Sequence, residues 1–275
     1  MCSSDLVGDR VEAYGAALAA HFAGIRIIHS GGGHITKGAL DNIYRYNISN
    51  LASLHLVTSR RAFNTLINCP VIDRERVVLV GSPAVDAIHR FLRSPLPINS
   101  FVPGIRCGRY ALITFHPVTL RDEPIHSLLQ NAIDMILTND CDVLITWPNN
   151  DSGAKKIIQT IIRNQQRPNV FVVRHLGSTG YYAALNDCLF VLGNSSSGLM
   201  EAPYFHKPVL DVGERQNGRE VDVGVRKVSA SIEALIAELK TGFDAGWPRI
   251  ECCNLYGDGQ SAEKGYRAIL EFLTG

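Results

Sequence analysis

A serine-rich turn near residue 194 carries the strongest pattern for anion-binding chemistry in this chain. The apolar run 189–192 is followed by Gly193, Asn194, three serines at 195–197 and Gly198. The residues at 194–197 are plausible N-caps for a short helix that we expect to open at Gly198. A strand, a turn and a helix N-terminus in this order would aim N–H groups and hydroxyls at one point, which suits phosphate oxygens. Simple helix capping explains an isolated turn equally well, so the surrounding residues must decide.

Other polar side chains with possible chemistry follow the ends of other predicted strands. Taken singly, each has an ordinary explanation. Asp9 could cap a helix, Asp41 and Arg45 could form a surface ion pair, and His116 could close a strand. Taken together, polar residues and glycines at so many strand ends favour a functional cleft. The candidates outside the serine turn are Asp9, His34, Asp41, Arg45, His116, Glu201, Arg215 and Arg219.

Short apolar runs alternate with helical segments along the chain, which predicts parallel sheets covered by helices on both faces. Ligands bind such sheets at the carboxyl ends of their strands, where the polar residues lie. We predict strands at 25–29, 55–58, 77–81, 110–115, 142–147, 170–173, 189–193 and 209–213. The predicted helices include 11–22, 39–50, 83–92, 127–137, 154–163, 231–240 and 262–273.

A break in this alternation at 93–108, rich in proline and glycine, predicts a linker between two α/β domains. We expect a partial first domain over 1–95 and a second over 96–260. The final helix, within 261–275, could pack back on the first domain. The strand-like segment SDLVG, residues 4–8, starts without preceding structure, so we expect an N-terminally truncated chain. One codon choice for CSSDL, residues 2–6, reproduces the end of a common sequencing adapter, so we expect residues 1–6 to be a library artefact. Contiguous upstream coding sequence at the locus would confirm the truncation, and a genuine start codon with an upstream stop would refute it.

Composition excludes several classes of function. The formal net charge of +1 gives no electrostatic reason to expect nucleic acid or an anionic membrane as partner. Seven cysteines without a CxxC pair indicate a reduced, cytoplasmic protein. No apolar run approaches the ~18 residues that a membrane span needs, and there is no signal-peptide pattern.

Eight segments in order resemble the hydrolysing UDP-N-acetylglucosamine 2-epimerase family. The resemblance implies a GT-B architecture of two Rossmann-like, doubly wound parallel-sheet domains, with the N-terminal domain incomplete and the nucleotide on the C-terminal one. It also implies conversion of UDP-N-acetylglucosamine to N-acetylmannosamine and UDP, the entry step to sialic acids. Close relatives act on bacillosamine-type sugars for legionaminic acid. The segments are GDRVE, HSGGGHITKGALDNIYR, LASLHLVTS, VGSPAVD, TFHPVT, WPNNDSG, GNSSSGLMEAP and GERQNGRE.

The chemistry implied by the resemblance needs a base at the sugar C2 proton and donors for the departing diphosphate, followed by water addition to a 2-acetamidoglucal. No metal or cofactor is implied, the partner is a UDP-sugar, and the family implies a homo-oligomer. The implied catalytic residues are Asp9, His34, Asp41 and His116. The implied UDP- and sugar-binding residues are Arg45, Asn194, Ser195, Ser196, Ser197, Gly198, Glu201, Arg215 and Arg219.

The sugar-side motif departs from the family pattern. Gly31 stands where a second histidine is usual, His34 replaces a glutamate, Asn42 replaces an acid and Ser53 replaces a histidine. These departures leave two alternatives open beside the hydrolysing enzyme. One is a non-hydrolysing UDP-N-acetylglucosamine 2-epimerase. The other is a catalytically impaired UDP-binding remnant or regulatory paralogue.

Overall fold

The chain folds into two compact units. The computed structural model describes residues 3–7, 9–36, 41–118, 123–149 and 153–275. Unit 1 comprises Met1–Arg90, Asn217–Glu220 and Asn254–Gly275, and unit 2 comprises Phe91–Gln216 and Val221–Cys253. The predicted domain boundaries near 95 and 260 stay a prediction.

Unit 1 contains a parallel four-stranded sheet whose strands follow one another in chain order, β1-β2-β3-β4. Right-handed crossovers in one direction place the connecting helices on one face. Ile27 packs with Ala17 and Ala20 of the first of these helices, whereas the next residue, Ile28, packs with Phe272 of the last helix of the chain. The elements are β1 (Ser3–Val7), α1 (Val11–Phe22), β2 (Arg26–Ser30), α2 (Asp41–Leu51), β3 (Leu54–Val57), α3 (Arg60–Ile67), β4 (Val77–Leu79), α4 (Pro83–Leu92, which runs into unit 2) and α10 (Ser261–Thr274).

Unit 2 contains a parallel six-stranded sheet with the order β10-β9-β8-β5-β6-β7. The chain order reverses between β5 and β8, as in doubly wound dinucleotide-binding folds, and ligands bind beyond the carboxyl ends of the strands at that point. The elements are β5 (Tyr110–Thr114), α5 (Ile125–Thr138), β6 (Asp142–Thr146), α6 (Ala154–Asn164), β7 (Val170–Val173), α7 (Gly177–Asp187), β8 (Phe190–Gly193), α8 (Ser196–Met200), β9 (Val209–Val212), β10 (Val225–Val228) and α9 (Ile232–Ala245).

All eight predicted strands are present; the strand at 170–173 has the predicted ends, and the others differ by one or two residues. Strand β10 escaped prediction because its two central residues are exposed and charged, which interrupts the apolar run. The prediction that a helix opens at Gly198 is wrong, since α8 begins at Ser196. The predicted start of the second helix, at 39–40, lies outside the described residues. The same holds for Gly8, Thr119 and 150–152, which belong to the eight segments that resemble the epimerase family.

The proline- and glycine-rich segment 93–108 is folded as part of unit 2. It contains a single turn of 3₁₀-helix, Ile98–Ser100, and buries Ile98, Val102 and Ile105. Periodicity could not reveal this packing because the segment has neither helical nor strand spacing. Among the described residues, none of the helices is long and apolar enough to cross a membrane.

Candidate active site

A buried guanidinium organises the sugar-side candidates of unit 1. Arg45 on α2 is 1% exposed and donates to Oδ2 of Asp9 through Nε, at 3.0 Å, and through Nη2. Its Nη1 donates to the carbonyl oxygen of His34 at 2.8 Å and to Oδ1 of Asn42 at 3.2 Å. The backbone N–H of Thr36 donates to the same Oδ1 at 3.1 Å. One side chain therefore holds the end of the β1 segment, the loop after β2 and the first turn of α2 in one arrangement.

The possible surface ion pair between Asp41 and Arg45 is not formed. Arg45 is buried, and its ion pair is with Asp9, 36 positions away in the chain. Asp41 is the first residue of α2. Asn42, which stands where the family has an acid, accepts through its amide oxygen, so this structural contact needs no charge.

His34 is buried beside arginines and stays neutral. Its side chain is 7% exposed, and Nε2 lies 2.6 Å from the Thr58 hydroxyl. Burial lowers the pKa of His34 to about 3, and the charges of Arg219 and Arg45 lower it further. Asp9 opposes this lowering, and Arg61 adds the smallest contribution to it. A neutral imidazole with so low a pKa is a weak proton acceptor. The same arginines would favour a negatively charged side chain at this position.

The triple glycine before His34 forms a close-packed turn. Gly33 has φ +81°, and a Cβ there would lie 2.4 Å from the carbonyl oxygen of Ala62 in α3. A Cβ on Gly32 would lie 2.8 Å from Ser49 Oγ, which pairs with Nδ1 of His29 at 3.0 Å. The turn therefore brings the backbone at 32–33 against α2 and α3, and this packing sets the position of His34.

Asn194 ties together the strand ends on both sides of the switch point in unit 2. It is fully buried, and its amide pairs reciprocally with the backbone of His116, accepting from the N–H at 2.7 Å and donating to the carbonyl at 2.9 Å. Its own carbonyl accepts from Arg215 Nη1 at 3.1 Å and from Gln216 Nε2 at 2.9 Å. The segments after β5, β8 and β9 therefore converge on one residue.

Two further contacts fix this corner. Gly193 has φ +148°, and a Cβ there would lie 1.9 Å from the Thr114 carbonyl oxygen, so no side chain fits. Nδ1 of His116 accepts the backbone N–H of Asn149 at 3.1 Å. Because Nδ1 is an acceptor, the neutral ring carries its proton on Nε2.

The serine turn uses its hydroxyls differently from a capping motif. Ser195 is the N-cap of α8, but its side chain does not bond the helix backbone. Instead Ser197 Oγ donates to Ser195 Oγ at 3.1 Å, and the Tyr181 hydroxyl lies 2.6 Å from Ser197 Oγ. Ser196 begins α8, and a Cβ on Gly198 would lie 3.2 Å from a methyl group of Val209. A helix of one turn has a small dipole, so hydroxyls and N–H groups must dominate any phosphate contact.

Comparison with known proteins identifies the family. The sequence pattern of the UDP-N-acetylglucosamine 2-epimerase family matches residues 6–270. The chain belongs to this family. It is 31% identical over 265 residues, 96% of this chain and 69% of the relative, to the UDP-N,N'-diacetylbacillosamine 2-epimerase (hydrolyzing) of Legionella pneumophila. It is 27% identical to the UDP-N-acetylglucosamine 2-epimerase of Neisseria meningitidis, over 78% of this chain and only 56% of that relative. The chain thus spans about half to two thirds of these relatives' lengths.

Solved structures of 2-epimerases share the fold. The S. aureus MnaA–UDP structure has a TM-score of 0.78 at 19% identity, covering 98% of this chain and 75% of that one. The Neisseria meningitidis UDP-GlcNAc 2-epimerase bound to UDP-GlcNAc has a TM-score of 0.75 at 17% identity, covering 97% and 76%. The predicted α/β class with two Rossmann-like, GT-B-type sheets is confirmed.

Glu201 lies at the C-terminal end of α8. It is partly buried, and burial raises the pKa of its carboxyl from the ordinary 4.5 to about 7. A carboxylate that is poorly solvated in the unliganded protein gains strongly from hydroxyl donors, which suits the ribose role implied by the resemblance.

We predict that Glu201→Gln stabilises the unliganded protein at pH 8 but not at pH 4.5. Below pH 4.5 the carboxyl is protonated in both folded and unfolded chains. Between 4.5 and 7 the unfolded chain ionises first, so stability falls with rising pH, by about 1–3 kcal/mol for a partly buried group. Glutamine removes this loss. Denaturant unfolding at both pH values measures the effect, and an equal difference at pH 4.5 and pH 8 would contradict it.

The sequence did not predict two of the side chains that contact candidate site residues: Thr58, which contacts His34, and Tyr181, which contacts Ser197. Thr58 follows β3 directly, so inspection of the polar residues after each strand could have found it. It was missed because the predicted strand, 55–58, includes Thr58 as its last residue. Tyr181 lies within α7, and nothing in its sequence surroundings marks it. Its partner Ser197 is 16 positions away and is brought close only by the fold.

Proposed function

We propose that this chain is a hydrolysing 2-epimerase acting on a UDP-linked N-acetylated amino sugar, releasing UDP and the free sugar inverted at C2. The observation that carries this proposal is the 31% identity, over 96% of the chain, to a relative whose name states hydrolysis. A second such relative, the GDP/UDP-N,N'-diacetylbacillosamine 2-epimerase (hydrolyzing) of Campylobacter jejuni, is 29% identical over 78% of this chain and 56% of its own length.

Unit 2 holds the nucleotide in this proposal. Ser195, Ser196, Ser197 and the N–H of Gly198 bind the diphosphate, Glu201 accepts hydrogen bonds from the ribose hydroxyls, and Arg215 offsets phosphate charge. Arg219, which belongs to unit 1, is the second proposed cation for the phosphates. The position of the serine turn at the switch point of the sheet supports this assignment. His116 donates from Nε2 to the departing diphosphate, in the orientation that Asn194 and the N–H of Asn149 support.

Unit 1 handles the sugar. Asp9 is the proposed base, because Arg45 bonds only its Oδ2, and within the described part of the chain Oδ1 has no other partner. The base takes the C2 proton, the C2–H electron pair forms the C1–C2 double bond, and the C1–O bond breaks with its pair leaving on UDP. Water then adds across the C1–C2 double bond: its oxygen bonds C1 and gives up one proton, while the π electron pair takes a proton on the opposite face of C2. Asp9 becomes a carboxylate again by releasing the proton that it took. Asp41 is the further candidate for the second proton transfer, and the neutral His34 is a weaker one because its pKa is about 3.

The sugar is either UDP-N-acetylglucosamine or its diacetylbacillosamine analogue, since relatives with both names are similar to this chain. We also propose a cytoplasmic homo-oligomer. The free thiols among the described cysteines support a reducing compartment.

Product analysis tests the proposal. The 275-residue chain, and any longer product of the same locus, are titrated with UDP by calorimetry and incubated with both UDP-sugars, and the products are separated by anion exchange. We expect UDP binding, then free UDP with a neutral 2-epimeric sugar. A UDP-linked epimer would identify the non-hydrolysing reaction instead. Binding without turnover would favour an impaired or regulatory protein, for which the replacement of a glutamate by His34 is the supporting observation.

A further inference from the structure

A chain of hydroxyl groups leads through unit 2 to the serine turn. The Tyr181 hydroxyl, on α7, lies 2.6 Å from Ser197 Oγ, and Ser197 Oγ donates to Ser195 Oγ at 3.1 Å. Three side chains, from α7, α8 and the turn before α8, are thus joined at the carboxyl end of the sheet.

The direction of this chain follows from the number of protons. Each hydroxyl has one proton to donate. Because Ser197 donates to Ser195, its oxygen must accept from Tyr181. Ser195 then keeps its own proton, which has no acceptor among the described residues, since its side chain does not bond the α8 backbone. The last hydroxyl of the chain is therefore an available donor.

We propose that Tyr181 is a positioning residue that orients Ser195 Oγ–H toward a phosphate oxygen of the bound nucleotide. This inference rests on the proposed UDP binding and adds a residue that acts through another. Hydroxyls that donate in sequence polarise one another, so the terminal donor is stronger than an isolated serine. Phenylalanine at 181 would leave Ser197 without its donor and free to rotate, and Ser195 would lose its fixed direction.

The expected signature is a loss of affinity confined to the phosphate part of the ligand. Calorimetry with UDP and ligand-observed NMR with uridine give the two dissociation constants. Tyr181→Phe should weaken UDP binding about 5- to 20-fold, the range for an oriented hydrogen bond to a charged group, while uridine affinity changes less than about twofold. A merely structural role would weaken both ligands together.

A double-mutant cycle shows whether Tyr181 acts through Ser195. Ser195→Ala should weaken UDP binding by a similar factor, and the Tyr181→Phe/Ser195→Ala protein should bind no more weakly than Ser195→Ala alone, within about twofold. Tyr110→Phe is the matched control. It removes another buried tyrosine hydroxyl of unit 2, which donates to the Ala184 carbonyl at 2.6 Å, and it should leave the UDP-to-uridine ratio unchanged.

The possible results distinguish the positioning role of Tyr181 from the proposed UDP binding on which it rests. If the parent chain fails to bind UDP, both are overturned. The positioning role is wrong, and the nucleotide site stands, if the parent binds UDP and Tyr181→Phe binds UDP equally well. The same conclusion follows if Tyr181→Phe weakens the binding of uridine as much as the binding of UDP. Independent losses that multiply in the double mutant would likewise contradict it.

Discussion

Replacing His34 by glutamate should raise turnover of the UDP-sugar by at least about tenfold. The imidazole is buried and has a pKa of about 3, set first by burial and then by Arg219 and Arg45, so it accepts protons poorly at neutral pH. The same cations would hold a carboxylate ionised. The site thus keeps the electrostatics of the acid that the family usually has here, although the acid itself is absent.

A control variant distinguishes the effect of the charge at residue 34 from the effect of side-chain shape. His34→Gln has a similar length to glutamate but no charge, and it should leave turnover at or below the parent level. The initial rate of UDP release should be raised throughout pH 6 to pH 9 in His34→Glu alone, because the cations keep its carboxylate ionised over that whole range. If glutamate leaves the turnover rate unchanged, or if glutamine raises it as much as glutamate does, proton transfer at residue 34 does not limit the reaction.

Arg45→Met should unfold the sugar-side cluster while leaving unit 2 intact. The substitution leaves Asp9, the His34 carbonyl and Asn42 without their shared donor. Because the Asp9 side chain is 27% exposed, we take the lower end, about 3 kcal/mol, of the cost of removing one partner of a buried ion pair. Local opening in the segment 26–58 should therefore become at least about 100-fold more frequent.

Hydrogen exchange with mass spectrometry locates this effect. Peptides from β2, α2 and β3 should exchange at least about 100-fold faster, whereas those from β5 and β8 stay as in the parent. Arg60→Met is the control, because Arg60 is exposed and stacks only on Phe63 at 5.5 Å; it should alter exchange little. Uniform acceleration across both units, or none in α2, would contradict the assigned role of Arg45.

Local patterns in the sequence predicted the strands and the corner around residue 194 because these depend on neighbouring residues. Buried parallel strands are continuous apolar runs, and Gly193 marks the one position where a Cβ would meet Thr114. Helix ends were less accurate: the run of polar residues at 194–197 offers several caps of similar quality, and packing selects Ser195.

Partners that are distant in the chain could not be predicted in the same way. Periodicity placed Arg45 beside Asp41, but the fold supplied Asp9 as its partner, and a buried arginine requires the hydrogen bonds that Asp9 and His34 provide. The reciprocal pairing of Asn194 with His116 spans 78 positions. Such contacts depend on strand order, which sequence periodicity does not contain.

Proton NMR of the reaction in deuterium oxide tests the central claim most directly. With UDP-N-acetylglucosamine, or the diacetylbacillosamine analogue, we predict that UDP and the free C2-epimer appear in equal amounts, and that the released sugar carries deuterium at C2. A UDP-linked epimer as product, or a released sugar that keeps both its configuration and its C2 proton, would contradict a hydrolysing 2-epimerase.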